Sequence, residues 1–200
     1  MPVPAAVAIR KEYGKDPFLM LISCLLSLRA KDTASLPASQ ALFKRARTPQ
    51  ELLALPLRQI EQTIYSVGFY RSKAKRLKTV SQELIDRFKG KVPDTYQELI
   101  SIKGVGPKTA HLVLGEAFDK QELYVDIHVH RISNRLGLVK TKKPEETQIE
   151  LERIIPREYW NDYCRLIVTW GQNICGPISP FCSECPLYKE CKRVGVTRSR

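Results

Sequence analysis

Four cysteines, Cys175, Cys182, Cys185 and Cys191, are spaced C-x6-C-x2-C-x5-C. Thiolates so close in sequence can close round one metal centre. The loop that holds them carries Gly176, Pro177, Pro180 and Pro186 and few large apolar residues, so a metal staple would stabilise it. A tetrahedral set of four thiolates suits zinc and equally suits a [4Fe–4S] cluster. Zinc modules commonly pair two C-x2-C knuckles, and this chain has one, which tilts the reading to iron–sulfur. Cys24 and Cys164 stand alone in apolar surroundings. Cys24, within an apolar run, reads as a small core residue.

A second group of residues centres on Ile102-Lys103-Gly104-Val105-Gly106-Pro107-Lys108-Thr109-Ala110. Two glycines two apart allow a tight reversal with positive φ, and Pro107 suits the first position of a following helix. Free N–H groups at Gly104, Val105 and Gly106, beside a helix N-terminus, can bind a phosphate without reading its base. With 33 Lys+Arg against 21 Asp+Glu, a formal net charge of +12, the hairpin reads as a DNA-backbone clamp. Lys108 then has two readings. It is a phosphate-binding cation, or an amine whose charged form is disfavoured by the helix's positive end and neighbouring cations. A neutral amine is a nucleophile able to form a Schiff base.

Asp126, in Tyr124-Val125-Asp126-Ile127-His128, also has two readings. It caps a helix starting near His128, or it is a carboxylate kept to stabilise positive charge on a deoxyribose or to move a proton. His128 and His130 lack companions at the helix-face spacing a metal would need. Both read as structural or DNA-facing.

The elements that must position these groups read as nearly all helix. Asp16-Pro17 is an N-cap followed by proline, and Phe18 to Leu28 is apolar on every side, which predicts a helix at the centre of a domain. Thr48-Pro49-Gln50-Glu51 and Thr95-Tyr96-Gln97-Glu98 are capping boxes, the second opening a short helix that ends near Ile102. Ala110, Val113, Leu114, Ala117 and Phe118 form one helical stripe. Pro144-Glu145-Glu146 opens another helix, and Tyr159 to Ile174 is a last amphipathic segment. Leu123 to Val129 alternates and is β-branched, so by pattern alone it is a strand.

The longest strongly apolar run, Pro17 to Leu28, is 12 residues, against about 20 for a membrane span. No basic region precedes an apolar one at the N-terminus, so no secretory signal and no membrane association are expected. The expected setting is intracellular, cytoplasm or nucleoid in a prokaryote, where disulfides are disfavoured.

Taken together, the I-K-G-V-G-P-K-T-A hairpin, the V-D-I-H-V-H-R-I-S-N-R segment and the C-x6-C-x2-C-x5-C cluster resemble those of endonuclease III, a helix–hairpin–helix DNA glycosylase/AP lyase. The resemblance runs from about Asp16 to Cys191. It implies an all-α fold of two helical domains flanking a DNA groove. One is a six-helix domain with the helix–hairpin–helix, residues 10–120. The other is an iron–sulfur domain made of residues 1–9 and 121–200. It implies a [4Fe–4S] cluster on Cys175, Cys182, Cys185 and Cys191, a nucleophilic Lys108 and a catalytic Asp126. Around Asp126 it implies loop and helix, against the strand pattern. The implied activity is removal of oxidised pyrimidines from double-stranded DNA, followed by β-elimination at the abasic site, by a monomer.

The same resemblance places Arg29 and Phe69 in two loops that fill the hole left by a flipped base, with Ser27 and Asp32 lining the pocket. Phe69 stands at the family's wedge position, where an aromatic ring can stack on the remaining bases. Two residues depart from the family. Arg29 replaces a common glutamine and predicts a tilt toward lesions opposite guanine. Ile127 replaces a usual threonine, which changes how Asp126 is held. Arg71 to Lys78 is a basic helix start that is either a solvated face or a phosphate contact. Two alternatives remain. One is an adenine- or thymine-mismatch glycosylase of the same fold, against which Lys108 argues. The other is a DNA-binding paralogue with altered or lost catalysis, to which Arg29 and Ile127 give footing.

Overall fold

The computed structural model describes all 200 residues, Met1–Arg200, and contains eleven α-helices and no strand. The chain divides into two compact units, Ala5–Lys120 and Gln121–Arg200 with Met1–Pro4. No helix is long and apolar enough to cross a membrane.

The first unit is built around α2 (Pro17–Ser27). Asp16 caps it by accepting the Leu19 N–H at 3.0 Å, and Pro17 occupies the first turn, where no partner for a backbone N–H is needed. Every residue from Phe18 to Leu26 is buried. A helix apolar on all sides must be surrounded, and α2 packs against α1 (Ala5–Tyr13), α3 (Asp32–Phe43), α6 (Tyr70–Phe88) and α8 (Pro107–Ala117). Truncating one of its leucines to alanine costs about 2–5 kcal/mol. Short helices α4 (Pro49–Ala54), α5 (Leu57–Thr63) and α7 (Tyr96–Ser101) complete the unit. The Thr48–Glu51 capping box forms in full. At α7 only half of the second box forms: Thr95 accepts the Glu98 N–H at 3.3 Å, but the Glu98 carboxylate takes the Thr95 hydroxyl at 2.6 Å.

Cys24 lies in the core of this unit. Burial, followed by the nearby Glu116 carboxylate, pushes its thiol up from 9.0 to about 12. A thiol raised this way stabilises the fold below pH 9 and loses that contribution as pH rises toward 12. Native protein at pH 8.5 is therefore expected to leave Cys24 unalkylated by iodoacetamide, while denatured protein is labelled there. Peptide mapping reads the difference, and labelling of Cys24 in the native fold would refute its burial.

In the second unit, α9 (Ile127–Leu136) packs against α10 (Pro144–Ile154) and α11 (Trp160–Asn173). The strand expected over Leu123 to Val129 does not form. Leu123, Tyr124 and Val125 are buried, but their neighbours come from α11: the Glu122 N–H donates to Asn161 Oδ1 at 3.2 Å, and the Cys164 thiol faces the Tyr124 carbonyl at 3.5 Å. Asp126 then starts a helix. Its side chain supplies the acceptor that the first N–H groups of a helix need, so β-branched Ile127 and Val129 become helical despite their pattern. A single turn of 3-10 helix, Arg157–Tyr159, leads into α11. Asn173 reaches back to donate to the Pro2 carbonyl at 3.1 Å, which ties the N-terminal residues to this unit.

Candidate functional site

In the first unit the hairpin between α7 and α8 is held from inside. Ile102 and Val105 are both buried, and the Val105 N–H closes the turn on the Ile102 carbonyl at 3.0 Å, so it is not the free donor the sequence pattern predicts: the turn itself needs that bond. Gly104 has φ +99°, and a Cβ there would stand 3.0–3.4 Å from the side chain of Arg76, so only glycine fits. Glu83 on α6 accepts the Lys103 N–H at 3.2 Å, and Arg87 donates to the Ser101 carbonyl at 3.0 Å. Gly106 is the N-cap of α8 and brings no capping side chain, while Pro107 follows at the first helical position. The turn is thus rigid, and its cap position is glycine backbone. Lys108 sits exposed in the first turn of α8. Its charge is felt at the buried Cys24 thiol of α2, where it opposes the rise caused by burial and Glu116.

Two other sequence-expected positions come together in this unit. Arg29 follows α2 with φ +53°, and Phe69 precedes α6 with φ +60° and is 68% exposed. A Cβ at Gly68 would lie 3.8 Å from the Arg29 carbonyl, so the two loops are neighbours. A left-handed non-glycine residue costs about 1–2 kcal/mol and is kept only where surroundings over-determine it. Two such residues side by side, one an exposed aromatic, mark a strained and outward-aimed pair. Ser27 and Asp32 have internal partners: the Ser27 hydroxyl donates to the Cys24 carbonyl at 2.9 Å, and Asp32 accepts the Ala5 N–H at 2.9 Å.

The basic stretch Arg71 to Lys78 is not one solvated face. Arg71, Lys75 and Arg76 are exposed, but Lys73 is buried, and Lys78 donates to the Leu53 carbonyl at 2.6 Å. The sequence reading missed Lys73. The signal was there in the spacing, because residues 73, 77, 80 and 84 fall on one helix face, and Leu77, Val80 and Leu84 are core.

In the second unit Asp126 is the N-cap of α9. Its Oδ1 accepts the N–H groups of His128 at 2.8 Å and Val129 at 2.9 Å. Both readings of this residue are therefore compatible: the two N–H bonds fix the carboxylate in place as the cap of α9. Ile127 is 69% exposed. His128 is packed against α11, since a Cβ on Gly171 would strike its ring at 2.4 Å. His130 pairs with Thr147 Oγ1 at 2.6 Å. Arg131 donates to the carbonyls of Gly171 at 3.3 Å and Cys175 at 2.8 Å. Burial, then the Arg135 cation, lower the Arg131 pKa from its ordinary value.

Cys175, Cys182, Cys185 and Cys191 line one cavity of about 30 Å³, whose other walls include Ile174, Pro180, Phe181 and Val196. Arg135 Nη1 donates to Cys175 Sγ at 3.4 Å, and the Arg193 N–H donates to Cys191 Sγ at 3.4 Å. The donor set is four thiols in a largely apolar wall, with N–H groups directed at two of the sulfurs. No three of the chain's His, Cys, Asp and Glu side chains stand close enough to share a single metal ion. Four thiols on one cavity wall are a donor set of the kind that binds either zinc or an iron–sulfur cluster.

Residues 22–157 match the sequence model of the HhH-GPD superfamily, described as base excision DNA repair proteins. Endonuclease III of Thermotoga maritima is 45% identical over 183 residues, which cover 92% of this chain and 86% of that protein. Two solved structures are similar in fold. A non-covalent endonuclease III–DNA complex aligns with a TM-score of 0.83 at 37% identity, covering 88% of this chain and 83% of that one. A trapped endonuclease III–DNA covalent intermediate, an estranged-adenine complex, aligns with a TM-score of 0.83 at 34% identity, covering 94% and 93%.

Proposed function

Because the chain belongs to the HhH-GPD superfamily of base excision DNA repair proteins, and within it to the endonuclease III family, it is a DNA glycosylase and AP lyase, and we propose that Lys108 is its nucleophile and Asp126 its essential carboxylate. The observation that carries the assignment is the placement of Lys108. It is exposed in the first turn of α8, directly behind a hairpin whose Val105 N–H donates to the Ile102 carbonyl, so that Gly104 and Gly106 supply the backbone N–H groups for a phosphate. Those groups and the helix N-terminus hold a DNA phosphate.

The lesion is an oxidised pyrimidine, whose poor stacking makes extrusion from the duplex less costly. The Lys108 Nζ, as the neutral amine, attacks C1′ of the deoxyribose, and the bond from C1′ to the base breaks with the electron pair leaving on the base. Asp126, held by the N–H groups of α9, stabilises the positive charge that develops on the sugar and takes up a proton from the attacking amine. The C1′–O4′ bond then opens, its oxygen takes the proton that Asp126 removed from the amine, and the iminium left between C1′ and Nζ acidifies C2′–H. Loss of that proton expels the 3′ phosphate by β-elimination and cuts the strand.

Cys175, Cys182, Cys185 and Cys191 hold a [4Fe–4S] cluster, supported by the four thiols round one cavity and the N–H groups on two of them. When bound, the cluster staples the loop and supplies no step of the excision chemistry. The enzyme acts as a monomer on intracellular DNA. Arg29 and Phe69 fill the vacated stack, with Phe69 stacking and Arg29 reading the orphaned base.

Borohydride trapping tests the reaction. Wild-type protein mixed with a duplex carrying an abasic site or thymine glycol and then reduced is expected to yield a covalent adduct. Base release with no adduct would replace the lysine with water as nucleophile. Arg29 adds a specificity test. Guanine acceptors favour arginine by about 1 kcal/mol or more per good contact, so cleavage opposite guanine should exceed cleavage opposite adenine by about fivefold, and Arg29→Gln should level the two. Equal wild-type rates, unchanged in Arg29→Gln, would remove Arg29 from base reading.

A further inference from the structure

We infer that Lys73 is the positioning residue of the two loops that enter the vacated stack: its backbone N–H holds the Phe69 carbonyl and its ammonium holds the Leu26 carbonyl, so one residue joins the segment carrying Phe69 to the segment carrying Arg29. The inference rests on the reading of Phe69 and Arg29 as the residues that fill the stack.

The need for such a residue begins at the end of α2. The last carbonyls of a helix lack intrahelical partners, and cations stabilise that end. The last turn of α2 contains no basic residue. Its carbonyls are served otherwise. Ser27 Oγ donates to the Cys24 carbonyl at 2.9 Å, the Ala30 N–H donates to the Ser27 carbonyl at 3.1 Å, and Lys73 Nζ donates to the Leu26 carbonyl at 2.7 Å. The cation that completes α2 thus comes from α6. It is a charge-assisted bond, stronger than a neutral one.

The other end of the link is as specific. The Phe69 carbonyl accepts the Lys73 N–H at 3.0 Å and the Ser72 hydroxyl at 2.9 Å. Phe69 and Arg29 are both left-handed, and both lie within four residues of an atom that Lys73 holds. Lys73 is 5% exposed, so it reaches neither phosphate nor sugar, and no role in DNA contact or as a second nucleophile is open to it. Burial, then Arg76, lower its pKa from 10.5 to about 8. A charge buried at that cost is kept only with a partner, and its partner here is the Leu26 carbonyl.

A double-mutant cycle of Lys73→Met and Phe69→Ala tests this, read by single-turnover excision of thymine glycol from a duplex. Each single variant should slow excision about tenfold or more, because small misplacements of a positioning element cost on that scale. If Lys73 acts through the loops, the double variant falls no more than about threefold below the worse single variant. A double loss near the product of the two singles overturns the proposal. A second readout separates positioning from stability. Lys73→Met should lose at least about fivefold more on duplex excision than on cleavage of a single-stranded abasic oligonucleotide, where no hole is left to fill. Equal losses on the two substrates would make Lys73 merely structural. If Lys73→Met does not fold by circular dichroism, Lys73→Arg, with a donor of different reach, enters the same cycle under the same criteria. A Phe69→Ala variant with full duplex excision would sink the stack-filling reading itself, and the Lys73 proposal with it.

Discussion

Lys108→Ala is expected to abolish borohydride trapping and to reduce cleavage at an abasic site by on the order of a thousandfold or more, about 4 kcal/mol of barrier. Binding to the same duplex should fall far less, because the hairpin N–H groups are backbone. The variant is expected to fold: Lys108 is exposed, and the hairpin is braced by Ile102, Val105, Glu83 and Arg87. The measurement is a gel-resolved trapping assay beside a binding titration at stated salt, since phosphate contacts make affinity salt-dependent. Persistent strand cleavage in Lys108→Ala would assign the nucleophile elsewhere. Loss of binding in step with cleavage would make the residue a phosphate clamp.

Asp126→Asn should retain the fold and lose excision by about a hundredfold or more. Asparagine caps helices nearly as well as aspartate, and its carbonyl can accept the same His128 and Val129 N–H groups. Stability should therefore change by less than about 1 kcal/mol, while the charge that stabilises the sugar cation is gone. Asp126→Ala removes cap and charge together and should cost a further ~1 kcal/mol of stability. Comparing the two by thermal melting and single-turnover excision separates the residue's two duties. Excision by Asp126→Asn within threefold of wild type would leave Asp126 a cap only.

Much of this was legible in the sequence because local signals and burial agree. Asp16-Pro17 caps a run that is apolar on every side, and that run became the central helix. Asp126 was readable as a cap because the cap is a local bond. The strand pattern at Leu123 to Val129 misled because periodicity reports that residues are buried, not by what. Here α11 covers the extended segment, and the cap then outweighs β-branching. Half of the Thr95 box failed because the Glu98 carboxylate found the Thr95 hydroxyl, a competing local bond that residue types alone do not rank. Lys73 was hidden by composition. In a stretch with four other cations it reads as surface, and only its register with Leu77 and Val80 marks it as inward.

The division of the chain has a consequence for its synthesis. Ala5–Lys120 is one continuous stretch, so its core can form while the remainder is still being made. The other unit draws on both extremes of the sequence, because Asn173 must find the Pro2 carbonyl 171 residues away. Its closure therefore waits for α11 to leave the ribosome. The cysteine loop follows α11 in sequence and emerges later still. Premature termination between Lys120 and Asp126 would release a chain that carries the hairpin and Lys108 but lacks Asp126 and the cysteine loop.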